Sequence, residues 1–364
     1  MKYARTAAAA FALLVGAAVP AGAEGTETLG PPSIAIAQGS GVAVAGTGMF
    51  TQPGTMTVDV PADATVEQVL LYVEAGHRDG DTSGAAPDAT ITVNGIALTG
   101  ALVGGPTPFY GDVQTATMRH DITALGLVTP GRTTLTVDGL DTDEVTDGAG
   151  VVVIYRQPGK AAEIGVVDGN DIAFVNFEPT LDTTVPQTFR FAAADTDRTA
   201  TLGLLVGSLN DPVPQANPTH RPAALLVTAG GTTTRFDDPF ADTEGPELDT
   251  RLLEVAVPAG ADTLTVQMVS EWDDSGDLPA SLVWVAAALA VPNEARALPA
   301  QVTAPPTVPT TAPTTTVAPA VLPANAELPF TGGDPMLTML IGTVALTGGA
   351  VLVLTARGTR RRPL

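Results

Sequence analysis

Three acidic loops hold the residues of this chain best suited to coordination chemistry. "DGLDTDEVTDG" gathers Asp138, Asp141, Asp143, Glu144 and Asp147, "EWDDSGDLP" gathers Glu271, Asp273, Asp274 and Asp277, and "DDPFADTEGPELD" runs from Asp237 to Asp249. Closely spaced carboxylates on a turn supply the hard oxygen ligands that calcium takes. None of the loops follows the D-x-[DN]-x-[DN]-G spacing with a closing glutamate. Aspartate and glycine also crowd turns for backbone reasons alone. Two readings therefore stand side by side: solvated turns, or a calcium site with Asp138, Asp141, Asp143, Asp273, Asp274 and Asp277 as candidate ligands.

Catalytic patterns are missing from the sequence. His77, His120 and His220 lie far apart, with neither a G-x-S-x-G elbow nor an H-E-x-x-H pair for them to serve. Among the many carboxylates no pair is singled out for general acid and base work. No catalytic residue is assigned, and the expectation is a protein that is not an enzyme. Sugar recognition needs exposed aromatic platforms, and the candidates are Trp272 beside an acidic loop with Phe109 and Tyr110 in "PFYGD". Trp284 sits mid-strand in "SLVWVAAALAV", where a core role is expected, and Tyr72 and Tyr155 lie in apolar strands.

The two ends of the chain carry addresses. Lys2 and Arg5, the apolar stretch Ala7 to Val19 and the small residues "AGA" at 21–23 form a secretory signal peptide over residues 1–23. At the far end, Met336 to Ala356 is a 21-residue run without a charge, followed at once by Arg357, Arg360, Arg361 and Arg362. That length crosses a bilayer as a helix, and the basic cluster holds the end on the cytoplasmic side. Just ahead stands "LPFTG". Leu328, Pro329, Thr331 and Gly332, with Phe330 at the free position, resemble the L-P-x-T-G sorting signal of sortase substrates in Gram-positive bacteria, and motif, apolar span and basic tail follow in that family's order.

The resemblance covers residues 328–364 and implies that this protein is itself a substrate. A sortase cysteine would attack the Thr331 carbonyl and release Gly332 onward, and an amine of a peptidoglycan precursor would then take the acyl group. Residues 336–356 would hold the membrane only until sorting. Pro329 keeps Leu328 out of the helical region and presents an extended peptide.

Trimmed to residues 24–331, the product keeps 11 basic and 38 acidic residues, a net charge of −27. That field opposes nucleic acid and anionic lipid. With no cysteine there is no disulfide framework, no thiolate metal site and no cysteine nucleophile. Lys160 is the one lysine left, so a lysine-based isopeptide could form at most once.

The elements that must position these loops read as strands. Runs such as "QVLLYVEA", "TTLTVDGL" and "GVVVIYR" are short, rich in valine and threonine, and bounded by Gly, Pro, Asn and Asp. They recur in one order, with offsets of 134 from Ile91 to Leu225 and 129 from Thr134 to Thr263. The fold expected is all-β: two tandem antiparallel, jelly-roll-like β-sandwich units over 31–160 and 161–297, loosely resembling uncharacterised β-rich domains of surface proteins. A disordered Pro/Thr-rich spacer follows over 298–327, then one C-terminal transmembrane helix. At ~3.1 Å per residue such a spacer reaches about 90 Å if fully extended. The expectation is a peptidoglycan-anchored cell-surface protein displaying these units to an extracellular ligand, for adhesion, ligand binding or envelope structure. The alternatives are a secreted glycoside-active enzyme or carbohydrate-binding module, and a minor pilus subunit.

Overall fold

The computed structural model describes residues 27–78, 90–109, 113–140, 145–177, 181–209, 221–240, 247–274 and 278–293. Residues 1–23, 298–327 and 328–364, where the sequence predicts a signal peptide, a spacer and a sorting signal with a membrane span, lie outside the described residues, among which no helix is long and apolar enough to cross a membrane.

The described chain is all-β, in four antiparallel sheets. In the first half, β1 (Gly41–Gly48), β9 (Val145–Arg156), β3 (Thr65–Arg78), β7 (Val113–Asp121) and β6 (Ala101–Pro108) form one sheet in that order. It faces a second sheet ordered β2 (Gly54–Val60), β8 (Gly131–Asp138), β4 (Thr90–Val93), β5 (Ile96–Thr99). In the second half, β10 (Ala162–Ala173), β17 (Leu282–Pro292), β12 (Arg198–Gly207) and β15 (Asp249–Val257) face β11 (Gln187–Arg190), β16 (Thr263–Ser270), β13 (Ala223–Ala229) and β14 (Thr232–Asp237). With β6 set aside, the two halves have the same strand order, strand for strand. Even the hairpin turns match: Asn94-Gly95 joins β4 to β5 and Gly230-Gly231 joins β13 to β14, and all four residues have positive φ. That is the backbone a two-residue primed turn demands, and it explains the residue types chosen.

Each sandwich has its own core. Met56, Leu71, Val73, Ile91, Leu135 and Val151 fill the first, and Leu202, Leu225, Leu264, Met268, Trp284 and Leu289 the second. The strand β2, "GTMTVDV", shows the logic in its simplest form, since every second side chain is buried and the others face water.

A third apolar layer joins the two halves. The backs of the β1-to-β6 sheet and the β10-to-β15 sheet pack on each other through Val42, Leu70, Val152 and Ile154 on one side and Val166, Leu205, Val285 and Ala288 on the other. Close approach requires glycine: a Cβ at Gly203 would come within 2.7 Å of Val44 Cγ1, and one at Gly104 within 2.3 Å of the Asn170 backbone nitrogen. The result is four stacked sheets with a buried seam between the middle two. Middle-layer strands are covered on both faces, which is why β17, "LVWVAAALAVP", is buried at every position before its last.

Residues 31–40, grouped by sequence with the first unit, bridge both. Gly30 and Gly39 pair with Asp168 and Ala162 of β10, while Leu29 lies in the second core. The Gln68 side chain of β3 accepts from the Ala37 amide and donates to the Ala35 carbonyl. This segment straps the second sandwich to the first before the chain enters β1.

Candidate functional site

Among the described residues, a concentration of buried polar side chains lies in the seam, where β3, β7 and β10 converge. Alternation along β7 sends Ala116 and Met118 one way and Thr115, Thr117 and Arg119 the other, toward the second sandwich. On β10, Asp168, Asn170 and Ile172 meet them, next to an irregularity in the pairing with β17 between Asp168 and Asp171. Arg119 Nη1 donates to Asp168 Oδ2 at 2.5 Å, and the Tyr72 hydroxyl donates to the same oxygen at 3.1 Å. Arg119 Nη2 reaches Ser33 Oγ of the strap at 2.9 Å. Asn170 Oδ1 accepts from the hydroxyls of both Thr115 and Thr117 at 3.0 Å. Glu74 is fully buried on the same face of β3 as Tyr72.

Electrostatics in the seam follow from burial and pairing. Loss of solvent pushes the Asp168 carboxyl up, and the Arg119 guanidinium, then the Tyr72 hydroxyl, pull it back. Burial also drives the Tyr72 phenol well above its usual range, and the negative charge of Asp168 adds to the shift. All three groups are nearly inaccessible to water, and their hydrogen bonds run between the two sandwiches. In chemical terms the cluster is a charged tie across an apolar interface.

A second buried carboxyl lies nearby. Asp171 accepts from the Val185 amide at 2.9 Å, yet burial pushes its pKa up to about 8, with a further rise from Glu27.

The residues singled out by sequence fall elsewhere. Asp138 is exposed at the end of β8, where its Oδ1 accepts from the Gly139 amide. Asp273 and Asp274 are exposed beyond β16. Asp141, Asp143 and Asp277 lie outside the described residues. β8 and β16 belong to the two outermost sheets, three inter-sheet spacings of ~10 Å apart, so Asp138 is not brought to Asp273. Among the described residues no group of three or more His, Asp or Glu is placed to hold a metal ion.

Of the aromatic candidates, Trp272 is 52% exposed, and Tyr110 lies outside the described residues. Phe109, expected as an exposed platform, is a correction: it is only 4% exposed, stacked edge-on against Phe177 at 6.3 Å and packed with Val113, Ile172 and Val283 at one end of the seam. Burial against the second sandwich, which the local sequence does not report, takes its ring out of solvent. Trp284 is fully buried, and its Nε1 donates to the Ala286 carbonyl. His120 is buried beneath Gly100, while the His77 side chain and His220 are not among the described positions. Leu328, Pro329, Phe330, Thr331 and Gly332 lie outside them as well.

No family model and no curated protein matches the chain. Solved structures share its β-rich build at low similarity. PNGase F, a glycosylasparaginase from Flavobacterium meningosepticum, is 12% identical with a TM-score of 0.26, over 73% of this chain and 94% of its own. The ANXUR1 extracellular domain from Arabidopsis thaliana is 10% identical with a TM-score of 0.21, over 73% and 95%. A tandem CBM22 domain from Paenibacillus barcinonensis is 10% identical with a TM-score of 0.20, over 75% and 99%. None of these likenesses carries an activity over to this chain.

Proposed function

We propose that this chain is an exported surface protein that a sortase joins covalently to peptidoglycan, displaying its paired sandwiches outside the cell for adhesion, ligand binding or envelope structure. The observation that carries the reading is the succession of Leu328-Pro329-Phe330-Thr331-Gly332, the uncharged run 336–356 and the arginines at 357 and 360–362. In the reaction the Thr331–Gly332 amide breaks as a sortase thiolate takes the Thr331 acyl group, and Gly332 leaves as an amine. A wall amine then displaces the thiolate, so that one amide replaces another. The fold supports display: with no cysteine available, two cores and a buried seam hold the four sheets together. Carbohydrate recognition by this chain is the second reading, favoured by the exposed ring of Trp272.

Mass spectrometry of muramidase-released wall material tests the anchor. The expected product is a peptide ending in Thr331, joined through its carboxyl group to a wall amine and absent from a Pro329→Ala, Thr331→Ala variant. Recovery of the intact chain through Arg362 from a detergent extract, with no wall-linked Thr331 peptide, overturns the reading.

A further inference from the structure

A recess of about 380 Å3 opens beside the start of β10, lined by Glu163, Ala192, Asp195, Arg198 and Asn293 among others. Its volume lies at the low end of the ~300–1,000 Å3 of small-molecule sites. Its chemistry is two-signed, with one fixed cation and two carboxylates in the lining.

The cation is unusually well held. The Arg198 guanidinium lies over the Phe191 ring, 5.2 Å from its centroid, and Nη2 donates to the carbonyls of Ala192 at 2.9 Å and Ala261 at 3.3 Å. Those contacts spend both hydrogens of one nitrogen and leave Nη1 and Nε without an acceptor among the described residues, Nε being buried. Stacking and two carbonyl contacts fix the plane of the guanidinium before any ligand arrives, so little side-chain entropy is lost when a carboxylate docks on it. On the other side, Glu163 Oε1 is fixed by the Ala192 amide at 3.0 Å, which leaves Oε2 as an acceptor. Asp195 is exposed at the rim, and so is Asn293, whose amide adds a neutral donor and acceptor.

We propose that this recess binds short peptides with a free amine and a free carboxylate, the carboxylate on Arg198 and the ammonium between Glu163 and Asp195. Simple anions meet two like charges there, and simple cations meet the guanidinium. Only a ligand that carries both signs satisfies all three groups. The site is independent of how the chain is anchored.

Glycylglycine titrated into the exported product, residues 24–331, tests the proposal, with the Arg198 Nε–H resonance as reporter. Saturable binding at millimolar peptide is expected, with a shift of that resonance. N-acetylglycylglycine and glycylglycine amide should each bind at least tenfold more weakly, a loss of about 1.4 kcal/mol. Asp195→Asn, at an exposed position, should weaken glycylglycine binding while leaving the melting temperature unchanged, and Arg198→Leu should abolish it. Absence of saturation, or equal affinity for the capped peptides, overturns the proposal.

Discussion

Arg119 of the first sandwich and Asp168 of the second form an ion pair whose side chains are only 3% and 4% exposed. Two charges have been taken out of water at the centre of an otherwise apolar seam. Such a pair gains little over well-packed apolar residues, but removal of one partner strands the other. In Asp168→Ala or Arg119→Met, urea unfolding of residues 24–331 should show a loss of ~3–5 kcal/mol. The double variant Arg119→Met, Asp168→Leu should recover much of it. Equal losses in single and double variants would show that packing, not charge, holds the seam.

The two tryptophans make a contrast that unfolding can read. Trp284 lies in the second core with no exposed surface, whereas Trp272 projects into solvent. Trp284→Ala should cost ~3–5 kcal/mol, and Trp272→Ala should stay within about 0.5 kcal/mol. A glycan array with the Trp272→Ala variant addresses the carbohydrate reading, since loss of a signal present in the parent places the ring at the contact.

How far the sequence reports this architecture depends on the face considered. The β4 and β13 hairpins were legible, because alternation and the Asn94-Gly95 and Gly230-Gly231 dipeptides are local signals. So was the recurrence of similar strands along the two halves, through the spacing of similar runs. The seam was not. Alternation in "VQTATMRHD" states that Thr115, Thr117 and Arg119 share a face of β7; it does not state what covers that face, and polar side chains at such positions look solvated. The continuous apolar runs of β9 and β17 were the available clue, since a strand covered on both sides loses its alternation. Asp168 and Phe109 gave no such clue, because their environment is built by residues dozens of positions away.

Glycine at the seam gives a steric test. A Cβ at Gly104 would lie 2.3 Å from the Asn170 backbone nitrogen, and neither β6 nor β10 can yield without moving its sheet. Gly104→Ala should therefore cost ~1–3 kcal/mol, the range of overpacked interiors. At Gly30, on the strap, an added Cβ meets nothing within 4 Å. Gly30→Ala should be neutral or stabilise by up to ~1 kcal/mol through the unfolded chain. A reversed order of the two effects would remove the steric account of the seam.

Asp171 gives the module a pH dependence of defined sign. Its folded pKa is about 8, raised mainly by burial, while an unfolded aspartate titrates near ~3.9. Between those values the folded state holds a proton that the unfolded state has released. This group alone therefore lowers stability as pH rises through the window, by up to ~1.4 kcal/mol per pH unit, and contributes no further slope above pH 8. Asp171→Asn keeps an acceptor for the Val185 amide and removes the titration. Measured from pH 5 to 9, the variant should lose less stability than the parent on the alkaline side, so that the difference between them widens toward pH 8 in favour of the variant and then levels off. Parallel stability profiles across that range would mean that Asp171 titrates as an ordinary carboxylate, ionised at neutral pH despite its burial.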